Sequence, residues 1–450
     1  MKFDLEAAAQ ATGGLAHGAA AAPSNIVTDS RAAGPGTAFV ALVGEKHDAH
    51  DFLQQVAAAG VDFVVASRVP AGWSLPWVEV PDTLVALHNL GRAVRRAFAG
   101  PVVGITGSAG KTTTRVMVAE VLTALGRVHA TRGNLNNHVG VPLTLLALED
   151  EPPAAALVLE MGMNHRGEIA VLQDIGAPTI RLVTNVGAGH VEGCGSIEGV
   201  AAAKQEMFDG ARTGDVCIVN LDDPRVAAMP IPPGVRRVTY GRHPDAEVRL
   251  AEARIDADAL TTIFRVETHD GTVVGTLSAP GEHLALNACA AVAVGLAAGV
   301  PWAGMGASLA RFQPEGMRNR VERIGGLRLI DDAYNANPTS MEAGLRLLAA
   351  LPAPRVAVLG DMLELGSVEA ASHIAVLELA RWLPIDAVHV TGPRMGLAAA
   401  SVPGVRFHAD AAALADVLAE TLSPSTAVLV KGSRGARMER VTDRLRGGGT

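Results

Sequence analysis

Residues 101–115, Pro-Val-Val-Gly-Ile-Thr-Gly-Ser-Ala-Gly-Lys-Thr-Thr-Thr-Arg, constrain the fold more than any other stretch of the chain. Val102 to Ile105 read as a short buried strand, Thr106 to Gly110 as a turn of small residues, and Thr112 onward as a helix to about Leu125. A strand, a glycine-rich loop and a helix start aim backbone N–H groups and the positive end of a helix dipole at one point, which suits a phosphate. Lys111 would add a charge and the Thr112 hydroxyl would reach Mg²⁺, so the stretch predicts a nucleoside triphosphate site. The spacing departs from GxxxxGK[ST]. Ile105 stands where the first glycine would be, and the glycines fall at Gly104, Gly107 and Gly110, which points to a subclass of such loops. The other reading is a glycine-rich strand-to-helix turn carrying a surface lysine.

With 450 residues the chain can form two to four domains, each burying its own core. A net charge of −8 and the absence of a basic run argue against nucleic acid or an anionic membrane as partner. Cys194, Cys217 and Cys289 are far apart and form no CxxC pair, so neither a disulfide framework nor a thiolate metal site is expected, and a reducing cytoplasm fits best. The first six residues include Asp4 and Glu6 where a signal peptide is basic and then apolar, and no run of about 18 apolar residues occurs, so a soluble protein without stable membrane insertion is expected.

Read in order, the chain predicts an α/β protein of three domains. Residues 1–82 alternate strands (Asn25 to Val27, Ala38 to Val43, Val61 to Val65) with a helix from Phe52 to Ala59, giving a small N-terminal α/β domain. Its polar clusters, Thr28 to Arg31 and His47 to Asp51, are either solvated loops or a seat for a polar ligand, with Arg31 able to clamp a phosphate. Residues 83–312 read as a central P-loop mononucleotide-binding α/β domain. Its strands, Val128 to Thr131, Ala154 to Leu159, Arg181 to Thr184 and Val216 to Asn220, end in polar tips, where ligands of open parallel sheets sit. Those tips carry the asparagine cluster Asn134 to Asn137, then Glu160, then His190. The asparagines read as a capped turn, Glu160 as a Mg²⁺ ligand or a solvated strand end, and His190 as structural or functional. A helix over Ile197 to Asp209 carries Lys204, a β-hairpin is expected around Asp270-Gly271, and a long alanine-rich helix begins at Gly281-Glu282-His283 and runs through Asn287 to Ala298. Residues 313–450 alternate four strands (Leu327 to Ile330, Val356 to Leu359, Ala387 to Val390, Ala427 to Val430) with three helices, a Rossmann-like C-terminal domain ending in a glycine tail expected to fray.

Thr106-Gly107-Ser108-Ala109-Gly110-Lys111-Thr112-Thr113, Asn134-Leu135-Asn136-Asn137, Glu160-Met161-Gly162 with Asn164-His165, Thr184-Asn185 through His190, Ala203-Lys204, Asp331 to Pro338 and Lys431-Gly432-Ser433-Arg434 occur in this order. Together they resemble the Mur ligases, ATP-dependent amide-forming enzymes of peptidoglycan synthesis, along nearly the whole chain. The third-domain motifs, Asp332 to Met341 and Leu359 to Gly366, look like those of the member that joins D-alanyl-D-alanine to UDP-N-acetylmuramoyl-tripeptide. The Asp-Asn-Pro-Arg motif of a neighbouring member is absent, and of the family's His-Asn-x-x-Asn only Asn287 carries over, because Leu284 follows His283.

The resemblance implies ATP bound by Gly107 to Thr113, Asn287, Arg320 and Asp332, and two Mg²⁺ held by Thr112, Glu160, His190 and Lys204, with Lys111, Glu160, His190 and Lys204 in the chemistry. Lys204 is implied to be carbamylated by CO₂, the alternative being a surface lysine paired with a neighbouring acid. Ser30, Arg31, His50, Asn137, Asn164 and His165 are implied to hold the UDP-tripeptide, and Asn335 and Asn337 the dipeptide, in a monomeric cytoplasmic enzyme. Two rivals are folylpolyglutamate synthase, disfavoured by the 82 residues ahead of the loop domain, and a P-loop switch protein, disfavoured by the polar third-domain tips.

Overall fold

The structure is a computed structural model and describes residues 2–149 and 151–447, so Gly448 and Gly449 of the glycine tail lie outside the described residues. The strands fall into three sheets, and the chain divides into two compact units.

One unit comprises Met1–Gly104, Leu125–Gly162 and Glu168–Thr179. Its five-stranded sheet runs in the order Leu15–His17, Trp77–Glu79, Phe63–Ala66, Thr37–Val40, Asn25–Val27, antiparallel at the first pair and parallel elsewhere. Phe39, Leu53, Val56 and Val64 fill the core beneath it. The strand expected to reach Val43 stops at Val40, because Val43 turns outward and pairs with Asp48 across the polar Gly44–His47 turn. Asp82 starts the helix Thr83–Ala97 by accepting from the Leu84 and Val85 amides. Gly91 lets that helix approach Pro142 on the helix Gly140–Leu146, where an added Cβ would lie 3.0 Å from the ring. Val128–Ala130 pairs in parallel with Ala156–Glu160, whose residues are all buried. A continuous apolar run of this kind marks a strand covered on both faces.

The other unit comprises Ile105–Ala124, Met163–Gly167 and Ile180–Thr450. Ile180–Val183, Val216–Asn220 and Arg236–Gly241 pair in parallel and continue into Val248–Asp256, Thr261–Glu267 and Thr272–Leu277, which pair antiparallel. The turn expected at Asp270-Gly271 is there, but the excursion holds three antiparallel strands rather than one hairpin. Alternate residues of Thr261–Glu267 are buried, which is the pattern of a sheet covered on one face.

The C-terminal sheet runs Arg320–Ile324, Leu327–Asp332, Ala427–Lys431, Arg355–Leu359, Ala387–Thr391, Val405–His408, parallel except for the first pair. Four of these strands match the expected ones. The two others are its edges, Arg-Val-Glu-Arg-Ile and Val-Arg-Phe-His, whose exposed charged positions break up the apolar run that betrays a central strand. The register sets Asp332 beside Lys431 and Leu359 beside Lys431, so three polar tips leave the sheet side by side.

Candidate active site

The strand Val102–Thr106 delivers the chain into Gly107-Ser108-Ala109-Gly110, and Lys111–Leu122 follows as a helix. Glycine is required at two points. Gly107 has φ +151° and an added Cβ would lie 1.8 Å from Thr184 Oγ1, while Gly110 has φ +81° and faces Asn287 Oδ1. The loop's shape is imposed by the neighbouring tip. Ser108 N donates to Asn185 O at 3.0 Å, Ala109 N donates to Asn185 Oδ1 at 2.9 Å, and Asn185 Nδ2 and Thr184 Oγ1 both donate to Ala109 O. The Ser108 and Ala109 amides are therefore engaged within the protein. The donors aimed outward belong to the first helical turn, whose N–H groups have no intrahelical acceptor. Lys111 Nζ rests on Gly107 O at 2.8 Å.

A cavity of about 370 Å³ opens over this loop. Ser108, Ala109, Gly110, Lys111 and Thr113 form its floor, Asn287 and His283 one side, and Arg318, Asn319, Asp332, Asn335 and Lys431 the other. Lys431 is 2 % exposed and donates to Asp332 Oδ2 at 2.5 Å and to Asn335 O at 2.9 Å, which ties two C-terminal tips into one wall. Burial depresses the His283 imidazole to about 4, so at neutral pH it stands uncharged in the cavity wall. The expected Arg320 is elsewhere, exposed and 3.4 Å from Glu322 on the edge strand. Arg318, stacked 4.0 Å over the Tyr334 ring, lines the cavity instead.

Asn337, expected as a dipeptide ligand, lines the cavity beside Asn335 and also fastens its own tip. Its Oδ1 accepts from Ser340 N at 2.9 Å in a reciprocal cap of the helix Pro338–Ala350, and its Nδ2 donates to Ser108 O at 3.0 Å. Both ends of the amide are engaged in holding the tip to the loop. Asn335 keeps its place on the cavity wall.

Around the helix start, Thr112 Oγ1 is buried without a hydrogen-bond partner, an orphan atom of the kind a cation accounts for. Lys204, on the helix Ile197–Asp209, is 1 % exposed and pairs with no carboxylate among the described residues. Burial, reinforced by the Lys111 charge, pushes its ammonium well below the ordinary lysine range. The alternative of a surface lysine paired with an acid is thus overturned. His190, in left-handed backbone at φ 66°, lies with Nδ1 2.8 Å from Glu364 Oε2, and that contact holds the Glu364 carboxyl below its usual range. Among the described residues no three His, Cys, Asp or Glu side chains cluster as a metal site. Asn164 and His165 are exposed and pack on the following turn: Asn164 O accepts from Cys194 Sγ, and His165 Nδ1 lies 3.3 Å from Gly193 O.

In the other unit, Glu160 is buried and its Oε1 accepts from Asn136 Nδ2 at 2.9 Å, whereas Asn137 caps the helix Gly140–Leu146 by accepting from Val139 and Gly140. A groove of about 590 Å³ is lined by Asp29, Ser30, Arg31, Phe39, His47 and Phe52, among others. Arg31 is paired with Asp29, which holds that carboxyl down at about 2. His50, expected at a ligand, is buried and structural: Nδ1 is 2.6 Å from Asp48 and Nε2 accepts from Ser67 N at 3.0 Å. His47 takes the place at the groove. Asn185 and Asn136 stand inside quoted motifs without an assigned role, and Arg318 lies outside them. For Asn185 and Asn136 the available signal was an asparagine beside a matched motif residue.

A phosphate loop walled by the polar tips of a second Rossmann-like sheet defines an ATP-dependent ligase. The chain matches the Mur ligase middle domain over residues 105–295 and the Mur ligase glutamate ligase domain over 317–434. It is 38 % identical over 429 residues, 94 % of each chain, to the UDP-N-acetylmuramoyl-tripeptide--D-alanyl-D-alanine ligase of Escherichia coli strain K12. Among solved structures it superimposes on MurF from Acinetobacter baumannii with a TM-score of 0.93 at 32 % identity, covering 99 % of both chains. MurF of Thermotoga maritima in complex with ADP gives 0.84 at 28 % identity, covering 94 % of this chain and 97 % of that one. This chain belongs to the Mur ligase family.

Proposed function

We propose that this protein joins D-alanyl-D-alanine to UDP-N-acetylmuramoyl-tripeptide, converting ATP to ADP and phosphate and yielding the pentapeptide precursor of peptidoglycan. The observation that carries the reading is the cavity in which the phosphate loop faces Asp332, Asn335 and Lys431, in a chain whose near full-length relatives bear that activity in their names. A free carboxylate is a poor acyl donor. Its attack on the γ-phosphate of ATP forms a C–O–P bond, releases ADP and gives an acyl phosphate. The dipeptide amine then forms the amide, losing a proton as phosphate leaves. The first step brings two anions together, so positioning and charge neutralisation dominate it. Lys111 and the first-turn amides supply part of this charge. Asn185 fixes the loop so that those donors need no rearrangement at the moment of reaction.

Thr112 and His190 suit a divalent cation through an orphan hydroxyl and an imidazole, Lys204 would suit it once carbamylated, and Glu160 is a candidate ligand on the family resemblance alone. Mg²⁺ held there, two ions on this reading, would neutralise charge shared between the phosphates and the carboxylate. Burial disfavours the Lys204 ammonium and so favours the form that carbamylation needs: a neutral amine adds to CO₂ and loses a proton, giving an anion in place of a cation. Residues 1–82 would hold the UDP end through Ser30, Arg31 and His47, residues 83–312 ATP, and residues 313–450 the dipeptide near Asn335. Asn137, Asn164 and His165 remain candidates for the tripeptide. The reading takes the protein as a monomeric cytoplasmic enzyme; no described helix is long and apolar enough to cross a membrane. Phosphate release from ATP should require both UDP-N-acetylmuramoyl-tripeptide and D-alanyl-D-alanine, and release indifferent to the dipeptide would reject the assignment.

A further inference from the structure

We propose that Glu364 is the positioning residue that orients His190 towards a divalent cation, so that the cation site is completed only when the C-terminal tip 360–366 is seated on residues 190–192. The inference rests on the reading of His190 as a cation ligand. Three contacts tie the tip down. His190 Nδ1 is 2.8 Å from Glu364 Oε2, Glu192 N–H donates to Glu364 O at 3.2 Å, and Gly366, at φ +52°, lies so close that a Cβ would sit 3.0 Å from Glu192 Cα. His190 and Glu364 both have left-handed backbone, at φ 66° and 63°, which residues with side chains keep only where their surroundings impose it. At 2.8 Å the Glu364 carboxylate is the acceptor within reach of an Nδ1 proton; a small rotation that closes this bond would fix the tautomer and leave the Nε2 lone pair for a metal, the arrangement by which outer carboxylates orient metal-binding histidines. The Lys111 charge is near enough to act on both the Glu364 carboxylate and Lys204, which puts the pair beside the phosphate loop. Since Glu364 arrives on the C-terminal sheet and His190 on the central one, a displaced tip leaves the imidazole unoriented.

The test titrates Mn²⁺, with ADP in excess, into the full-length protein and its Glu364→Ala, Glu364→Gln and His190→Ala variants, free Mn²⁺ being counted by paramagnetic resonance. The His190-dependent binding should weaken about 10-fold in Glu364→Ala. Glu364→Gln, whose amide oxygen still accepts from Nδ1–H, should stay within about threefold of the parent. Melting temperatures should match, the Glu364 side chain being half exposed. In turnover Glu364→Ala should lower kcat and leave the KM for ATP in place. Parent-like Mn²⁺ binding in Glu364→Ala alongside weakened binding in His190→Ala would overturn the positioning role and leave the cation reading standing. Parent-like binding in His190→Ala would overturn both.

Discussion

Asn337 separates two accounts of the third domain, because its side chain is either a substrate ligand or the fastener seen here. Truncation to alanine removes the acceptor for Ser340 N, a helix cap worth about 1 kcal/mol, and leaves Ser108 O without its 3.0 Å donor at a buried site, a loss of roughly 1–3 kcal/mol. The two sum to roughly 2–4 kcal/mol. Asn337→Ser keeps the cap, since a serine hydroxyl accepts from the same amide, and loses only the bond to Ser108. Hydrogen exchange at the start of Pro338–Ala350 should therefore quicken in the alanine variant and hold in the serine variant. Both should lower the urea midpoint, alanine the more, and both should lower kcat because the C-terminal tip no longer seats on the loop. An Asn337→Ser enzyme with the parent's urea midpoint and kcat but a raised KM for D-alanyl-D-alanine alone would refute this account and restore Asn337 as a dipeptide ligand.

Lys111→Ala should abolish turnover with little change in melting temperature, since the ammonium rests on Gly107 O of its own loop; a kcat within tenfold of the parent would contradict its role. Lys204 should carry an added CO₂ in crystals or spectra taken under bicarbonate, and Lys204→Ala should lose activity. An unmodified amine together with a fully active variant would end the carbamate reading. His389, buried against His408 with its imidazole depressed to about 4, is uncharged in the fold but binds a proton near 6.5 when unfolded. Unfolded chains thus take up more protons below 6.5, and stability falls as pH drops from 6.5 towards 4 by on the order of 3 kcal/mol. His389→Asn should flatten that part of a melting-temperature profile, and an unchanged profile would show the pair is not the source.

The central strands and the phosphate loop were legible because buried parallel strands write continuous apolar runs and glycines mark the turns. Ile197–Asp209 was expected over the same residues as it forms, its start marked by Ser196, whose side chain accepts from Gly199 N. The edge strands were not legible, since a half-exposed strand such as Arg320–Ile324 carries no such run. In the site, residue type was readable and direction was not. His50 and Asn337 sit in matched or polar motifs, yet each side chain bonds a distant segment, His50 to Ser67 N and Asn337 to Ser108 O. Arg320 and Arg318 are two residues apart, and only the pairing of an antiparallel edge strand decides which one faces the cavity. The burial of Lys204 without an acidic partner was equally hidden, because a helical lysine near acids in sequence reads as solvated.

The most direct measurement follows ¹⁸O from the tripeptide. With its terminal carboxylate labelled, each turnover with ATP and D-alanyl-D-alanine should place one labelled oxygen in the released phosphate, because the carboxylate oxygen that attacks the γ-phosphate leaves with it. Phosphate that carries no label beyond background, or that forms equally without the dipeptide, would contradict the account.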